Sequence, residues 1–273
     1  MDKSSAKDYL PWLEMKNIEA WVGGNRVFND LNLNLLNGQN TVVLGPNGSG
    51  KSSLIKLISR ELYPVVKENS SFRLFGSATI DLIKIRKRIG ILTNGIETRT
   101  PQECVGRDII LSGFLGSIGI NKREFLSESM YTKLEEIIKL MSLEAIAYKS
   151  FRELSDGQKR RLLLARTLIN NPDILILDEP TNAIDLKAKH QLLASFRKLC
   201  KNGKTILLVT HQIDNVIKEF NRIVLMKNGK IIEDGKPFEI LRSDLLSDLF
   251  ETPLEVICTR NHWQILPAKT LFY

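Results

Sequence analysis

Apolar and polar residues alternate along the first part of the chain. The segments Leu13–Ile18 and Leu31–Leu35 repeat with a period of two, and a Gly-Gly-Asn sequence at 23–25 lies between them. This alternation is typical of antiparallel strands with one exposed face, and glycine and asparagine favour the turn that joins such strands. The pattern therefore predicts a partly exposed antiparallel sheet.

Three later apolar runs show no alternation. They are Ile89–Leu92, Ile174–Leu177 and Ile206–Val209. Strands that are buried on both faces have this composition, which favours a mostly parallel sheet covered by helices. The pattern therefore predicts an α/β fold.

A long stretch at about 101–170 has helical periodicity and predicts a helical insertion in the α/β domain. Two sets of apolar residues have the spacing of a helix face: Leu134, Ile137, Ile138 and Met141, and Ile109, Ile110 and Phe114. Further along, we expect a helix at 213–220 and a hairpin that turns at Asn228-Gly229. A helix at 237–250 and a small hairpin within the last twenty residues follow. The predicted domain is 12–250, with 251–273 as a small C-terminal extension.

Composition narrows the class of protein. The chain has 273 residues, 43% hydrophobic and 26% charged, which is ordinary for a soluble globular protein of one large or two small domains. The longest wholly aliphatic runs are four residues long, so we expect no membrane span. The polar start lacks the apolar middle of a secretory signal, and we therefore expect a cytoplasmic protein. Three widely separated cysteines suggest neither a disulfide framework nor a Cys-x-x-Cys metal site. The net charge of +8 favours polyanionic partners such as nucleotides, nucleic acid or an anionic membrane surface.

A glycine-rich segment follows the predicted strand Thr41–Leu44 and precedes a predicted helix. It reads Gly45-Pro46-Asn47-Gly48-Ser49-Gly50-Lys51-Ser52 and fits the phosphate-loop pattern G-x-x-x-x-G-K-[ST]. Glycines let backbone N–H groups point at phosphate oxygens, and the helix adds its positive N-terminus. Lys51 would place a charge on the outer phosphates, and Ser52 would offer a hydroxyl to Mg²⁺. An accidental glycine-rich and serine-rich turn is the alternative, at a chance of roughly 1% from average composition.

Two carboxylates end the buried strand Ile174–Leu177. At the end of a parallel strand, Asp178 would stand beside the phosphate loop and bind Mg²⁺. Glu179 would orient and deprotonate the attacking water. Taken alone, this pair is more typical of a solvated turn, and its combination with the phosphate loop favours the catalytic interpretation.

Several segments together resemble the ATP-binding cassette (ABC) ATPases over about residues 12–250. They are Leu154-Ser155-Asp156-Gly157-Gln158 for the signature, Asp178-Glu179-Pro180-Thr181 for the end of Walker B, Asn182-Ala183-Ile184-Asp185 for the D-loop and Val209-Thr210-His211 for the switch histidine. The resemblance implies a P-loop NTPase (RecA-like) core with a mostly parallel sheet, an antiparallel β-subdomain and a helical subdomain at about 101–170. It also implies ATP hydrolysis with Mg²⁺.

The resemblance carries site residues over to this chain. The implied nucleotide contacts are Trp21, Gly45, Pro46, Asn47, Gly48, Ser49, Gly50, Lys51, Ser52, Ser53, Ser155, Gly157 and Gln158. By resemblance, the signature contacts ATP that is held by a second copy, so that two copies sandwich two nucleotides. His211 would hydrogen-bond the γ-phosphate and support the water activated by Glu179, although a lone histidine is often structural. Trp21 would stack on adenine, with a core tryptophan as the alternative. Asp156 replaces the usual glycine of the signature, and we expect its side chain to point away from the phosphate.

One loop departs from the family. A glutamine that links Mg²⁺ and the water to the helical subdomain normally follows the strand equivalent to Ile89–Leu92. Thr93-Asn94-Gly95-Ile96-Glu97 stands there instead. Asn94 keeps an amide at the ordinary position, whereas Glu97 fits if the loop is three residues longer. Both are candidate metal-site residues beside Ser52 and Asp178.

The resemblance leaves three classes of function. The first is the nucleotide-binding subunit of a membrane transporter, which would form a dimer, in all expectation a homodimer, and drive a separate transmembrane permease from the cytoplasmic face of the membrane. The second is a soluble single-cassette ATPase that acts in cofactor assembly, repair or translation. The third is a nonenzymatic nucleotide sensor, which the intact Asp178, Glu179 and His211 disfavour.

Two basic clusters do not separate these classes. They lie at 84–88 and 159–161, and we expect both to be solvated helix surfaces, with contact to anionic lipid or nucleic acid as the alternative. Neither has the interleaved aromatic residues of a face that binds single strands, so we do not expect a nucleic-acid partner.

Overall fold

The computed structural model describes residues 10–79, 81–93, 95–118 and 126–268. The described residues form two compact units. The first unit contains the residues up to 81 together with those from 205 onward, and the second unit contains residues 82–204.

The described part of the chain contains strands and helices in a mixed order. The strands are β1 (Pro11–Val22), β2 (Asn25–Leu36), β3 (Thr41–Leu44), β4 (Ser71–Leu74), β5 (Ile89–Leu92), β6 (Ile174–Asp178), β7 (Thr205–Thr210), β8 (Arg222–Lys227), β9 (Lys230–Gly235), β10 (Leu254–Thr259) and β11 (His262–Pro267). The helices are α1 (Lys51–Ser59), α2 (Leu82–Arg88), α3 (Gly95–Arg99), α4 (Gly106–Leu115), α5 (Glu128–Met141), α6 (Asp156–Leu168), α7 (Leu186–Lys201), α8 (Pro237–Ile240) and α9 (Ser243–Phe250). Short 3-10 turns lie at Phe151–Glu153 and Ile213–Asn215.

The first unit contains the predicted antiparallel sheet, in the order β2-β1-β4. Leu31, Leu33 and Leu35 on β2 are buried while the asparagines between them are exposed, which confirms the period-two pattern. The turn at Gly23–Gly24 has φ values of 56° and 81°, a conformation that glycine adopts without steric cost.

The first unit also contains a parallel layer. Strands β7, β3 and β8 are parallel neighbours, and β9 pairs with β8 in the antiparallel sense. Every residue of β3 and β7 is buried, and the burial of Ile206–Val209 in β7 confirms the prediction from its unbroken apolar run. The Asn228–Gly229 turn joins β8 to β9 with φ values of 49° and 72°, so the predicted hairpin is confirmed.

The second unit combines a pair of parallel strands with helices. Strand β5 pairs with β6 in register, so that Ile89 faces Ile174. Helices α4 and α5 both pack against α6, and Leu134, Ile138 and Met141 form the buried face of α5. The helical periodicity predicted within 101–170 is confirmed for α4, α5 and α6, whereas 119–125 lie outside the described residues and the extent of a helical subdomain stays a prediction. The domain boundaries 12–250 and 251–273 stay a prediction.

The helix predicted at 213–220 is wrong. Ile213, Val216, Ile217 and Phe220 are all buried at helical spacing, but only the 3-10 turn Ile213–Asn215 forms. Hydrogen bonds run from Val216 N to the Ile213 carbonyl and from Phe220 N to the Ile217 carbonyl, three residues back in each case. The Asn215 side chain donates to Thr210 Oγ1 at 3.1 Å. Successive turns and this side-chain bond thus replace the helix.

The helix predicted at 237–250 is also wrong as a single element. Arg242 is extended, with φ −114° and ψ 152°, and separates α8 from α9. Phe238 on α8 and Leu249 on α9 nevertheless lie within the predicted helical range.

Candidate functional site

The phosphate loop lies between β3 and α1, as the motif requires. Gly48 and Gly50 have φ values of 80° and 104°, which favour glycine. A Cβ on Gly45 would lie 2.2 Å from the Met226 carbonyl oxygen, so a side chain is excluded there. The Gly229 N–H donates to the Ser49 carbonyl at 2.9 Å. The loop is therefore held by the turn between β8 and β9.

Helix α1 begins without a side-chain cap and without an acidic residue in its first turn. The first N–H groups of a helix have no intrahelical partner, and an anion satisfies them well. Lys51 is buried, and its Nζ donates to the carbonyls of Gly45 at 2.7 Å and Pro46 at 2.8 Å. Ser52 is exposed and Ser53 is half-buried. These features fit a triphosphate.

A further polar atom of the loop supports this fit. Ser49 is 1% exposed, and its Oγ has no hydrogen-bond partner among the described residues. At the tip, Asn47 and Gly48 are exposed while Pro46 is half-buried. The loop thus opens its tip to solvent and keeps an unsatisfied hydroxyl beneath it.

The switch segment lies beside the phosphate loop. The Gly45 N–H donates to the carbonyl of Thr210 at 3.3 Å, so the first loop residue and the residue before His211 are hydrogen-bonded. Thr210 Oγ1 accepts from Gln212 N and from Asn215 Nδ2, both at 3.1 Å. His211 is half-buried within this anchored turn. The structure therefore brings two of the predicted motifs together within the first unit.

Trp21 lies at the end of β1 and is 46% exposed. Its Nε1 donates to Glu19 Oε1 at 2.8 Å, and the Arg26 guanidinium lies 5.9 Å from its ring centroid. The alternative of a core tryptophan is therefore wrong. An exposed ring with a hydrogen-bonded edge offers a face for a planar ligand, and the stacking role stays a prediction.

Asp178 and Glu179 lie at the end of β6 in the second unit. Asp178 is half-buried, whereas Glu179 is 8% exposed and has φ 45°. A left-handed conformation in a residue other than glycine costs about 1–3 kcal/mol and is typical of functional sites. The alternative of a solvated turn does not fit a buried carboxylate. Asp185 then caps α7 by accepting from Ala188 N at 2.8 Å.

The signature segment begins α6. Ser155 Oγ accepts from Gln158 N at 3.4 Å, and Gln158 Oε1 accepts from Ser155 N at 3.0 Å, so the two form a capping box. A Cβ on Gly157 would lie 2.2 Å from the Ala188 Cβ. The Asp156 side chain is 62% exposed and pairs with Lys159 at 3.5 Å. The predicted N-cap is confirmed, whereas the direction of Asp156 relative to a phosphate stays a prediction.

The prediction of a solvated surface is wrong for the cluster at 159–161. Arg160 is buried, and its Nη2 lies 3.6 Å from Glu97 Oε2. Burial lowers the pKa of Arg160, while Glu97, Asp156 and Asp178 act to raise it. Arg161 Nη2 donates to two carbonyls at the end of α5, at 2.6 and 3.0 Å. The physical reason is that neighbouring helices cover α6 on several sides.

The other cluster, at 84–88, is exposed as predicted. Its Arg88 pairs with Asp173 at 2.9 Å. The remaining basic residues of α2 face solvent.

Asn94 and Glu97 are the two candidates for the place of the missing glutamine. Asn94 lies outside the described residues. Glu97 lies on α3, where it pairs with Arg160. Among the described residues, no group of three or more His, Cys, Asp or Glu side chains could hold a metal by itself. This is compatible with Mg²⁺, which usually keeps several waters and binds one or two carboxylates plus substrate phosphates.

Comparison with known proteins identifies the family. The sequence profile described as "ABC transporter" matches residues 28–182. The chain belongs to the ABC transporter ATP-binding family. A profile for an AAA domain also matches residues 148–218. The fold is the P-loop NTPase fold, and the protein is an ATP-binding, ATP-hydrolysing subunit of an ABC transporter.

Three similar proteins illustrate the match. The "Uncharacterized ABC transporter ATP-binding protein YmeB" of Lactococcus lactis subsp. lactis is 30% identical over 260 residues, which cover 94% of this chain and 99% of YmeB. The structure of cbiO1 from Clostridium perfringens, "Part of the ABC transporter complex cbiONQ", has a TM-score of 0.73 at 25% identity and covers 88% of this chain and 94% of cbiO1. The dimeric post-hydrolysis structure of the cassette MJ0796 with ADP and Pi has a TM-score of 0.66 at 25% identity. The match covers 82% of this chain and 98% of the MJ0796 chain. All three are transporter cassettes, so nothing here supports the alternative of a soluble ATPase in cofactor assembly, repair or translation.

In the portion of the ABC ATPase that the structure describes, every helix is too short or too polar to cross a bilayer.

Proposed function

We propose that two copies of this ABC ATPase sandwich two ATP molecules and that their closure and reopening drive a separate transmembrane permease. The observation that carries this proposal is the phosphate loop, with its two left-handed glycines and an uncapped helix start. Two relatives add support, because cbiO1 is described as part of a transporter complex and MJ0796 is described as dimeric with ADP and Pi.

The residues that hold ATP follow from the motifs. Trp21 takes the adenine, and the segment 45–53 takes the phosphates, with Lys51 as a point charge on the outer ones. The signature residues Ser155, Gly157 and Gln158 approach ATP that is held by the partner copy. Ser155 and Gln158 fix each other in a capping box at the start of α6, and the N-terminus of this helix favours an anion.

Mg²⁺ fits the oxygen donors on this chain. Ser52 and Asp178 would hold it, and Asn94 and Glu97 are the candidates for the missing glutamine's place. When bound, Mg²⁺ would neutralise phosphate charge. The ion pair with Arg160 makes Glu97 the weaker candidate.

Two residues carry the hydrolysis step. Glu179 orients a water molecule and accepts its proton as the water oxygen attacks the γ-phosphorus and the bond to ADP breaks. Glu179 is buried, and its backbone is left-handed. His211 donates a hydrogen bond to a γ-phosphate oxygen from the turn that Thr210 anchors.

The working complex has further parts. The cassette is a homodimer on the cytoplasmic face of the membrane, where a permease supplies the path for the cargo. Selectivity for the cargo belongs to that permease. We do not include nucleic acid among the partners.

The test uses Glu179→Gln, which keeps ATP binding and removes the base. We expect this variant to form a stable dimer with ATP and Mg²⁺ in light scattering, and to lose at least about 100-fold in ATPase rate. Adding Lys51→Ala should abolish the dimer, and Glu136→Gln on an exposed face of α5 should behave as the unchanged protein. A Glu179→Gln variant that stays monomeric with ATP, even with membranes supplied, would contradict the two-copy mechanism.

The permease is tested with the same trapped variant. We expect it to recover a membrane protein with several spans from detergent-solubilised membranes in the presence of ATP. Recovery of soluble assembly factors alone would contradict the transporter assignment.

A further inference from the structure

A β-hairpin lies next to the switch segment in the first unit. Strands β10 and β11 pair in register and turn at Arg260–Asn261, where both residues have left-handed φ values of 52° and 61°. β11 packs beside the 3-10 turn Ile213–Asn215, which begins two residues after His211. No family motif noted above includes this hairpin.

The hairpin is firmly attached on its other side. Ser243 Oγ accepts from Val256 N at 2.9 Å, and Ser247 Oγ accepts from Leu254 N at 2.9 Å, so α9 holds the backbone of β10. Trp263 of β11 is 6% exposed, and its ring centroid lies 4.9 Å from that of Phe238. Two serine hydroxyls and one buried tryptophan therefore fix the position of β11.

The switch segment has little regular structure of its own. After β7 it consists of three-residue turns, and a single hydroxyl, that of Thr210, accepts two of its hydrogen bonds. Such segments depend on packing by neighbouring elements for their conformation. Ile213 is 2% exposed, so the segment is packed against neighbours.

A cleft of about 440 Å³ lies between the two features. Residues 211–214 form one wall, and residues 264–266 of β11 form the other. His211 therefore shares a cleft with residues 264–266. Gln264 and Leu266 are two residues apart, lie on one face of β11 and are both exposed, Leu266 by 43%. A shift of β11 would change the wall that confines His211.

We propose that this hairpin positions His211, and that Gln264 and Leu266 are positioning residues for ATP hydrolysis. The inference rests on the proposed function of His211 at the γ-phosphate.

Kinetics on the full chain test the proposal. We expect Leu266→Ala and Gln264→Ala to lower kcat by about threefold to tenfold at unchanged KM for ATP, because His211 acts on the γ-phosphate as it reacts. Leu266→Met should restore the rate, because it keeps the volume. His262→Ala is the matched control, because His262 lies on the same face of β11 outside the cleft and is exposed.

A double variant separates positioning from general destabilisation. In a His211→Ala background, Leu266→Ala should cause no further loss of kcat, since the residue that it positions is gone. Hydrogen exchange gives a readout without catalysis. The amides of Gln212, Asn215 and Val216 should exchange faster in Leu266→Ala than in His262→Ala.

The outcomes distinguish the two proposals. If His211→Ala lowers the rate while Leu266→Ala changes neither the rate nor the exchange, the inference about the hairpin is overturned and the role of His211 stands. Equal losses from Leu266→Ala with and without His211 would also overturn it. If His211→Ala keeps the full rate, the proposed role of His211 is overturned, and the inference with it.

Discussion

At the scale of single residues, one ion pair links two helices of the second unit. The carboxylate of Glu97 on α3 lies 3.6 Å from Arg160 on α6, and the Arg160 side chain is only 7% exposed. The Nε and Nη1 atoms of Arg160 have no hydrogen-bond partner among the described residues. A buried guanidinium with two unsatisfied nitrogens depends strongly on nearby carboxylates, and Glu97 acts on it more strongly than Asp156 or Asp178 does.

We therefore predict that Glu97→Gln lowers the free energy of unfolding by about 1–3 kcal/mol. This loss is smaller than the loss expected on breaking a fully buried ion pair, because Glu97 is partly exposed. Urea denaturation measures the change. The control is Glu103→Gln, whose pair with Arg152 is exposed on both sides and should contribute at most about 1 kcal/mol. If Glu97 is instead a metal ligand, the variant will need more Mg²⁺ for ATPase activity at unchanged stability.

At the scale of elements, the signature helix α6 meets α7 at its first turn. Gly157 is buried, and the Cβ that any other residue would add lies 2.2 Å from Ala188 Cβ. The glycine of the signature therefore has a packing function in this chain, in addition to its proposed contact with phosphate.

Gly157→Ala should lower stability by about 1–3 kcal/mol, because overpacking displaces α7. Ala188→Gly alone should cost about 1 kcal/mol of helix propensity. The double variant should be more stable than the sum of the single changes predicts, since removing the Ala188 Cβ makes room for the new methyl group. Thermal unfolding of all four proteins gives the coupling. Simple additivity would mean that the contact does not limit packing. Lost ATPase activity in the double variant at restored stability would favour a separate role for Gly157 at the nucleotide.

Some elements of this fold could be predicted from the sequence, and others could not. The strand β2 was predictable because Leu31 and Leu35 alternate with exposed asparagines, a local pattern with one physical cause. The phosphate loop was predictable because its chemistry requires fixed residue types at fixed spacing. The conformation of the segment 213–220 was not predictable. Buried residues at helical spacing also occur in successive turns, and here the side chain of Asn215 stabilises those turns by its bond to Thr210. The burial of Arg160 was not predictable either, since its partner Glu97 is distant in the sequence.

At the scale of the whole molecule, charge determines the response to acid. The chain carries 39 Lys and Arg and 31 Asp and Glu, so protonation of carboxylates increases an already positive charge. Several carboxylates have partners that lower their pKa. They are Glu19 beside Lys67, Glu153 at Ser150, Asp244 beside Arg242 with a pKa of about 2, and Glu251 beside Lys227.

These carboxylates determine whether the stability of the fold rises or falls with pH. A carboxyl group whose pKa is lower in the folded state stabilises the protein fully above its unfolded pKa, and that stability is lost as the pH falls through the folded pKa. The ordinary pKa of glutamate is 4.5 and that of aspartate is 3.8. We therefore expect stability to decline progressively below about pH 4.5.

Glu153→Gln tests this on one group. The Glu153 carboxylate accepts from Ser150 N at 2.9 Å and from Ser150 Oγ at 3.0 Å, and these bonds lower its pKa. The variant removes the charge at every pH, so it should be less stable than the unchanged protein at pH 7. The difference should begin to shrink below about pH 4.5, where Glu153 becomes protonated in the unfolded state, and should vanish below the lowered pKa of the folded state, where it is protonated in both states. Denaturant midpoints between about pH 7 and pH 3 measure the difference, and Glu136→Gln on exposed α5 should give a curve parallel to the unchanged protein. A gap for Glu153→Gln that stays constant over this range would show that lost packing, and not the carboxylate charge, accounts for the effect.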